Sequence, residues 1–404
     1  MIDLEVPRKL GPLVAQARQV ADEVFRPISR KYDRDEHARP KELDMLAAVI
    51  DGMNDGSDLG GAGATGVHRS ADREGPQGNR NGSNLSTALS VMELCRGDVG
   101  LLLSVPRQGL GNSAIAAVAD DAQRERYAGR WAAMAITEPE AGSDSAAIRT
   151  TAVLDGDEYV LNGEKIYVTA GERADLIVVW ATLDRAQGRA AIKSFVVERS
   201  NPGLVLDRLE HKLGIRASDT AAFRLEDCRV PREDLLGPPG IEVTNGFAGA
   251  MQTFDNTRPL VAAMAVGLTR ACLEETRRLL GDAGVEVDWD RPAALQTAAA
   301  AEYLAMDADY EAAYLLTLQA AWMADNGKPN SLQASMAKAK AGRTCVDVAL
   351  RCVRLGGTLG YGEDLLLEKW ARDAKILDIF EGTQQIQLLI VARQLLGLSS
   401  AQLR

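Results

Sequence analysis

Histidine is scarce in this chain. His37, His68 and His211 are the whole supply in 404 residues, and their wide spacing forms no metal-binding pattern. Cysteine is nearly as sparse. Cys95, Cys228, Cys272, Cys345 and Cys352 are odd in number, widely spaced and contain no CxxC pair. That excludes a disulfide framework and reads as small buried thiols in a reduced, cytoplasmic protein. No long apolar run opens the chain, so neither a signal peptide nor a membrane span is expected. Positive charge is also in deficit: 46 Lys and Arg against 57 Asp and Glu give a formal net charge of −11. This argues against a nucleic-acid binder that works by neutralising phosphates. A small anionic ligand remains compatible, because basic residues can gather locally in an acidic protein.

What is present fits a soluble globular protein of two or three packed units, 46% apolar and 25% charged. Residues 1–131 read as helical. Apolar residues fall at helical spacing over 6–29 and 41–53, and again through Leu85, Leu89, Val91, Met92 and Leu94 behind an Asn/Ser cap at Asn84. Between them, 54–83 is dominated by Gly, Asp, Asn and Arg, as in a flexible surface loop or a lid. Residues 132–240 change to β-rich runs, Tyr159-Val160-Leu161, Leu176-Ile177-Val178-Val179-Trp180 and Ser194-Phe195-Val196-Val197. Turn signals at Asp155-Gly156-Asp157, Asn162-Gly163 and Asn201-Pro202-Gly203 divide them, which predicts a small antiparallel barrel or sandwich. Gly237-Pro238-Pro239-Gly240 reads as an exit linker. Residues 241–404 return to helical periodicity over 261–280, 293–323, 332–355 and 364–396, a four-helix bundle. The expected fold class is mainly α with a central β domain.

Two segments carry chemistry. Ile379-Phe380-Glu381-Gly382-Thr383-Gln384-Gln385-Ile386-Gln387, just after Arg372-Asp373-Ala374-Lys375, sets one carboxylate beside an aromatic ring and a glycine between apolar helical runs. A carboxylate kept dry at such a break holds a raised pKa and acts as a general base. Equally, Glu381 at that place stabilises the first turn of the next helix. The second segment is Met134-Ala135-Ile136-Thr137-Glu138-Pro139-Glu140-Ala141-Gly142-Ser143-Asp144. Its Pro and Gly breaks free backbone N–H groups, and Thr137 and Ser143 add hydroxyls, a set suited to a phosphate or a flavin edge. Alone it reads as a polar loop before a sheet.

Together these segments resemble the acyl-CoA dehydrogenase family of flavoenzymes, from about Arg126 to the C-terminus. The motifs are Thr137-Glu138-Pro139 with Ala141-Gly142-Ser143-Asp144, and Leu161-Asn162-Gly163-Glu164-Lys165-Ile166-Tyr167-Val168-Thr169. Lys212-Leu213-Gly214-Ile215-Arg216-Ala217-Ser218-Asp219-Thr220, Thr253-Phe254-Asp255-Asn256-Thr257-Arg258-Pro259 and Glu381-Gly382-Thr383 follow in the family's order. The resemblance implies an N-terminal α-helical domain, a middle antiparallel β-barrel and a C-terminal four-helix bundle, with FAD as cofactor. It implies that Glu381 removes the α-proton of an acyl-CoA thioester while the β-hydride passes to flavin N5, giving the trans-2-enoyl-CoA. Donors at the thioester oxygen would be the base's own backbone N–H and a flavin ribityl hydroxyl. Electrons would leave to an electron-transferring flavoprotein. Some relatives place the base where this chain has Thr257, which carries no carboxylate.

By the same resemblance, Ile136, Thr137, Gly142, Ser143, Tyr167, Thr169, Gln296, Gly357, Thr383 and Gln385 match cofactor-binding positions. Ser143, Phe254, Asp255, Arg258, Phe380 and Gly382 match substrate-binding positions. Tyr167 stands where many relatives have a Trp covering one flavin face; otherwise it is a barrel core residue. An Asp255–Arg258 salt bridge along the helix is the alternative for that pair. Arg372 and Asp373 read as structural partners. The chain departs from the family at two places. The Arg-x-x-Phe-Gly segment given to a neighbour's flavin pyrophosphate reads Ala283-Gly284-Val285-Glu286-Val287, and Gln-x-x-Gly-Gly reads Val353-Arg354-Leu355-Gly356-Gly357. The chain is therefore expected to join a related subunit in a heterotetramer, or to form a homo-oligomer in which Arg351 or Arg354 substitutes. A carrier-protein-bound acyl thioester as substrate, and a non-catalytic role within a dehydrogenase complex, are the alternatives of function.

Overall fold

The computed structural model describes residues 6–53, 81–106, 110–241, 248–398 and 402; the side chains of 48–53, 110 and 248–256 fall outside that description. The Gly-rich loop therefore lies almost wholly outside the described residues, and so does His68.

The chain starts with helices. α1 (Gly11–Val20) continues through a π-helical turn (Ala21–Phe25) into α2 (Arg26–Arg34). Then come α3 (Lys41–Met53), α4 (Ser83–Gly97), α5 (Val99–Leu102), α6 (Leu110–Val118) and α7 (Asp121–Arg126). The α4 start differs in mechanism from the sequence expectation. No side chain of its own N-cap bonds there. Instead Asp325, far along the chain, accepts from the N–H groups of Gly82 (2.8 Å), Asn84 (3.0 Å) and Leu85 (3.1 Å). One carboxylate thus satisfies three orphan donors and complements the helix dipole.

Eight strands follow: β1 (Ala132–Ala135), β2 (Thr151–Asp155), β3 (Glu158–Thr169), β4 (Leu176–Thr182), β5 (Ile192–Glu198), β6 (Leu204–Leu209), β7 (Thr220–Pro231) and β8 (Leu235–Leu236). They form one sheet in the order β6-β7-β3-β2-β4-β5-β8, with β1 beside β4. The expected antiparallel pairing holds except at β4, which runs parallel to β1 and to the start of β2. β4 is buried on both faces, which explains its unbroken apolar sequence. Ile177, Val179 and Ala181 face one core, while Leu176, Val178 and Trp180 pack with Ala114 and Ile115 of α6.

The last part is α8 (Ala248–Asp282), α9 (Ala298–Asp325), α10 (Ser331–Tyr361), α11 (Leu367–Leu377) and α12 (Gln384–Leu396). The periodic run at 364–396, expected as one stretch, is two helices broken at 378–383. N-terminal and C-terminal helices share a single core, where Phe25, Leu94, Val266, Cys345 and Trp370 belong to one apolar cluster. α10 approaches the end of α11 so closely that a Cβ on Gly342 would stand 2.7 Å from the Leu377 carbonyl oxygen.

A buried ionic cluster ties these parts together. The Lys369 ammonium donates to Asp98 (2.7 Å) and Asp373 (2.5 Å), and all three side chains are at most 1% exposed. Asp98 also accepts from the Ser29 hydroxyl of α2 and the Leu101 N–H. The other Asp373 oxygen accepts from the Ile215 N–H in the β6–β7 loop. Burial alone would lower the Lys369 pKa, but two carboxylates around one ammonium hold it above its ordinary value. Burial pushes Asp373 up, and Lys369 offsets this only in part. Removing one member of such a group strands the others in the core. Lys369→Met should cost about 3–5 kcal/mol, measured as a lower urea midpoint; an unchanged midpoint would mean that the cluster contributes nothing net.

Candidate active site

The break between α11 and α12 is a built turn. Ile379 and Phe380 close it on the Ile376 carbonyl, and the Gln384 N–H returns to the Asp378 carbonyl. Glu381 and Gly382 both take positive φ, 57° and 93°. That conformation is sparsely populated for a residue with a Cβ and persists only when its surroundings impose it. Here the surroundings are specific. Buried Gln387 donates its side-chain amide to the Glu381 and Gly382 carbonyls (3.2 and 3.1 Å), and Lys338 donates to the Gly382 carbonyl. At φ 93° a residue with a Cβ would be strained, and its Cβ would stand 2.5 Å from the Gln387 amide nitrogen, so glycine is strongly favoured at 382. Thr383 then caps α12, its hydroxyl accepting the Ile386 N–H.

The Glu381 carboxylate faces α8, where the Thr257 hydroxyl donates to it at 2.7 Å. Thr257 and Arg258 are buried beside Pro259 within that helix. Burial pushes the Glu381 pKa up; the Thr257 hydrogen bond and the charges of Arg258 and Lys338 pull it back without cancelling the rise. Burial likewise lowers Lys338 to about 8. Among the described residues, no carbonyl accepts the Glu381 backbone N–H, which leaves a donor at the base of the turn.

The second set sits on the sheet. After β1 the chain turns at 136–143, and Glu138 points inward rather than to solvent. It accepts from Lys165 (2.7 Å), from the Thr150 hydroxyl (2.6 Å) and from the N–H groups of Arg149 and Thr150. Burial alone would raise its pKa, but Lys165 outweighs this and holds it low, while burial takes Lys165 down to about 8. The Thr137 carbonyl accepts the Ile166 N–H at 2.9 Å. This pair therefore clamps the loop to β3 and leaves Gly142 and Ser143 exposed, with open space where a Gly142 Cβ would stand. Next to it, the β3–β7 register slips between Lys165 and Val168. Tyr167 lies in that bulge with φ 57° and is 60% exposed. It is a presented ring, and the alternative of a barrel core residue does not hold. Thr169 follows, half-buried and paired with Thr220.

The structure joins the two sets through Ile215 and Asp373, one contact between the sheet and the helix that leads to Glu381. Phe380, Glu381, Gly382, Thr383 and Arg258 gather at the turn, and Ile136, Thr137 and Tyr167 at the sheet; Gln385 is exposed on the first turn of α12. Phe254 and Asp255 lie on α8 with side chains outside the described set, so the Asp255–Arg258 alternative is not addressed. Arg372 and Asp373 have structural partners, although not each other: Arg372 pairs with Asp33 and Glu368. Gln296 and Gly357 are not brought to Glu381. Gln296 orders its own loop through Asp288 and Arg291. Gly357 kinks α10 with φ 56°, roughly 28 Å along the helix from Lys338 at 1.5 Å per residue. Arg351 and Arg354 are both engaged by Glu302, and Glu286 is exposed.

Thr257 as a partner of the base, Lys338 and Gln387 escaped the sequence reading. Lys338 had a signal. It falls with Ala334, Ala337, Ala341 and Cys345 on the buried stripe of α10, and a lysine on such a stripe is expected to have a partner.

A half-buried carboxylate beside a hydroxyl donor, and a flat ring presented next to a hydroxyl-bearing loop, suit proton abstraction from carbon next to a planar redox cofactor. Family models agree along the chain: acyl-CoA dehydrogenase N-terminal domain over residues 12–135, middle domain over 133–228 and C-terminal domain over 244–396. The chain belongs to the acyl-CoA dehydrogenase family; it is an oxidoreductase, and FAD is its cofactor. The short-chain specific acyl-CoA dehydrogenase of Clostridium acetobutylicum is 32% identical over 403 residues, covering 97% of this chain and 99% of that one. The solved butyryl-CoA dehydrogenase of Megasphaera elsdenii has a TM-score of 0.82 at 28% identity, covering 98% of this chain and 100% of its own. A prolyl acyl carrier protein oxidase has a TM-score of 0.79 at 27% identity, covering 97% and 100%.

A pH dependence follows from the raised Glu381 pKa. Acting as a base, Glu381 would work only when ionised, so single-turnover flavin reduction should rise with pH through an apparent pKa above the ordinary carboxylate value. Lys338→Met removes a cation that favours the ionised form and should move this limb to still higher pH. A stopped-flow profile that is identical in the two proteins would remove Lys338 from the electrostatics of the base.

Proposed function

We propose that this chain dehydrogenates an acyl-CoA thioester between Cα and Cβ to the trans-2-enoyl-CoA, with Glu381 as the base. The observation that carries the reading is the Glu381 turn: the carboxylate is desolvated, oriented by Thr257 and held in a backbone conformation that several buried groups enforce. Desolvation raises its proton affinity toward that useful for a weak carbon acid. The Glu381 N–H supplies a donor for the thioester oxygen, where charge develops as the α-proton leaves. Thr137, Ser143, Tyr167 and Thr169 would hold the flavin. FAD, when bound, supplies the acceptor for the β-hydride. An electron-transferring flavoprotein would be the partner that accepts the electrons, and the five free buried thiols fit a reducing cytoplasm. No helix among the described residues is long and apolar enough to cross a membrane.

Likeness to a prolyl acyl carrier protein oxidase favours one second reading, a carrier-protein-bound thioester, since the reacting carbons are the same. The built Glu381 turn speaks against a non-catalytic subunit. Anaerobic mixing with a panel of acyl-CoA and acyl-carrier thioesters separates the first two. Glu381→Gln should keep flavin and lose reduction by at least about a thousandfold, a loss in the chemical step. Substantial single-turnover reduction in that variant would assign the base elsewhere.

The pyrophosphate half of the site fits less well. The neighbour-directed segment has Ala283 where the family's arginine stands, with the acidic Glu286 close by, and Arg351 and Arg354 already pair with Glu302, Arg351 with Asp347 as well. Leu388, Leu389, Leu395 and Leu396 of α12 and Leu350, Leu359 and Tyr361 of α10 are exposed, apolar surface of a kind that subunit contacts cover. The chain therefore assembles with a related subunit that contributes the missing cation. A charge-assisted hydrogen bond is worth about 1.5–3 kcal/mol, or roughly ten- to a hundredfold in flavin affinity. Expressed alone the chain should be flavin-poor, and it should gain flavin with the partner. Full flavin occupancy as a homo-oligomer would instead require Arg351 or Arg354 to leave Glu302 for the phosphates.

A further inference from the structure

Two of the three histidines, far apart in sequence, meet at a domain junction. His37 sits in the turn after α2, and His211 in the loop between β6 and β7. Their rings lie 5.1 Å apart, tilted by 58°. Glu36 completes the group: one carboxylate oxygen is 3.0 Å from the His211 Nδ1. One ligand atom from each of Glu36, His37 and His211 lies within 4.8 Å of the others.

Three features set this cluster apart from a surface ion pair. First, both His37 ring nitrogens are shielded from solvent and neither has a hydrogen-bond partner among the described residues, although a neutral imidazole carries a donor and an acceptor. Second, His37 takes a φ of 70°, the left-handed region that a residue with a Cβ rarely occupies. The ring is thus held against the other two groups at a backbone cost. Third, the second Glu36 oxygen accepts the Lys212 N–H at 2.9 Å, which orients the carboxylate as outer hydrogen bonds orient metal ligands. The Lys212 ammonium is drawn to the Ser218 carbonyl.

We propose that Glu36, His37 and His211 bind a divalent transition-metal ion, of the zinc, cobalt or nickel class, with solvent completing its coordination. Two imidazoles and one carboxylate are the donor set that such ions prefer, whereas magnesium and calcium call for oxygen ligands. Ligand atoms at about 2.0–2.2 Å from an ion lie roughly 3.4 Å apart in a tetrahedron. The Glu36–His211 pair is near that spacing already. His211 is 85% exposed in its side chain, so it can rotate to close the rest, and the site is open to entry from solvent.

The ion would join the end of α2 to the 210–219 loop. That loop places the Ile215 N–H on Asp373, in the helix that ends at the Glu381 turn. The metal therefore acts as a clip on the junction between helical and β parts, away from the reacting atoms. None of its ligands is among the flavin- or substrate-binding residues.

The test is metal binding by untagged protein stripped with a chelator and then dialysed. Zn2+ titrated by calorimetry should bind at one equivalent per chain, Co2+ should give the visible absorption of a low-coordinate N/O site, and the unfolding temperature should rise with added Zn2+. His211→Ala and Glu36→Gln should each weaken Zn2+ at least about tenfold and abolish the thermal shift, with flavin content unchanged. His211 is exposed, so its variant should fold even if His37→Ala does not. Failure of the parent to bind Zn2+ below millimolar concentration would overturn the proposal. So would parent-like binding in His211→Ala, which would place the ion elsewhere.

Discussion

One ammonium shared by two buried carboxylates organises this molecule. Lys369, Asp98 and Asp373 meet with almost no solvent contact, and each aspartate also fixes a different part of the chain. Asp98 holds Ser29 and the start of α5, while Asp373 holds the β6–β7 loop through Ile215. An unpaired charge in that position would be far costlier than any local rearrangement. The three segments therefore have one way to come together, and α11 leaves the cluster in a fixed direction. About one turn past Asp373 it ends, and the Glu381 turn begins.

The turn itself follows the same logic on a smaller scale. Burial raises the proton affinity of Glu381, and Thr257, Arg258 and Lys338 limit the rise. The folded state then holds the proton more tightly than the unfolded chain. Stability contributed at this site falls as pH climbs from the ordinary carboxylate value through the raised one. Positive φ at Glu381 adds to that cost. Gln387 and Lys338 offset it by donating to the turn's carbonyls, and glycine at 382 spares the turn a second residue with a Cβ at positive φ. The carboxylate proposed as the base is thus held in place by its neighbours' hydrogen bonds.

The helix, sheet, helix order was legible because periodicity and turn residues are local properties. The break at Glu381 was visible in its glycine, threonine and flanking apolar runs, but local spacing alone left a base and a helix-start charge equally open, and the family resemblance pointed to the base. What escaped depends on contacts across the chain. Asp325 caps α4 from about 240 positions away, and Thr257 reaches Glu381 across 124. No window of sequence shows either. Tyr167 was ambiguous because strand alternation assigns a face only while the register holds, and it sits where the register slips. The histidines looked unrelated because 37 and 211 meet only after the β6–β7 loop docks on α11.

The central claim is that Glu381 removes the α-proton of a bound acyl thioester. It can be isolated from redox chemistry with an acyl-CoA analogue that carries a sulfur at the β-position and so has no β-hydride to give. Incubated in deuterium oxide with the flavin-loaded protein, this analogue should exchange its α-hydrogens at a rate readable by mass spectrometry. The parent should wash in deuterium stereospecifically, and Glu381→Gln should not exceed the uncatalysed rate. Exchange by Glu381→Gln at the parent's rate would contradict the account.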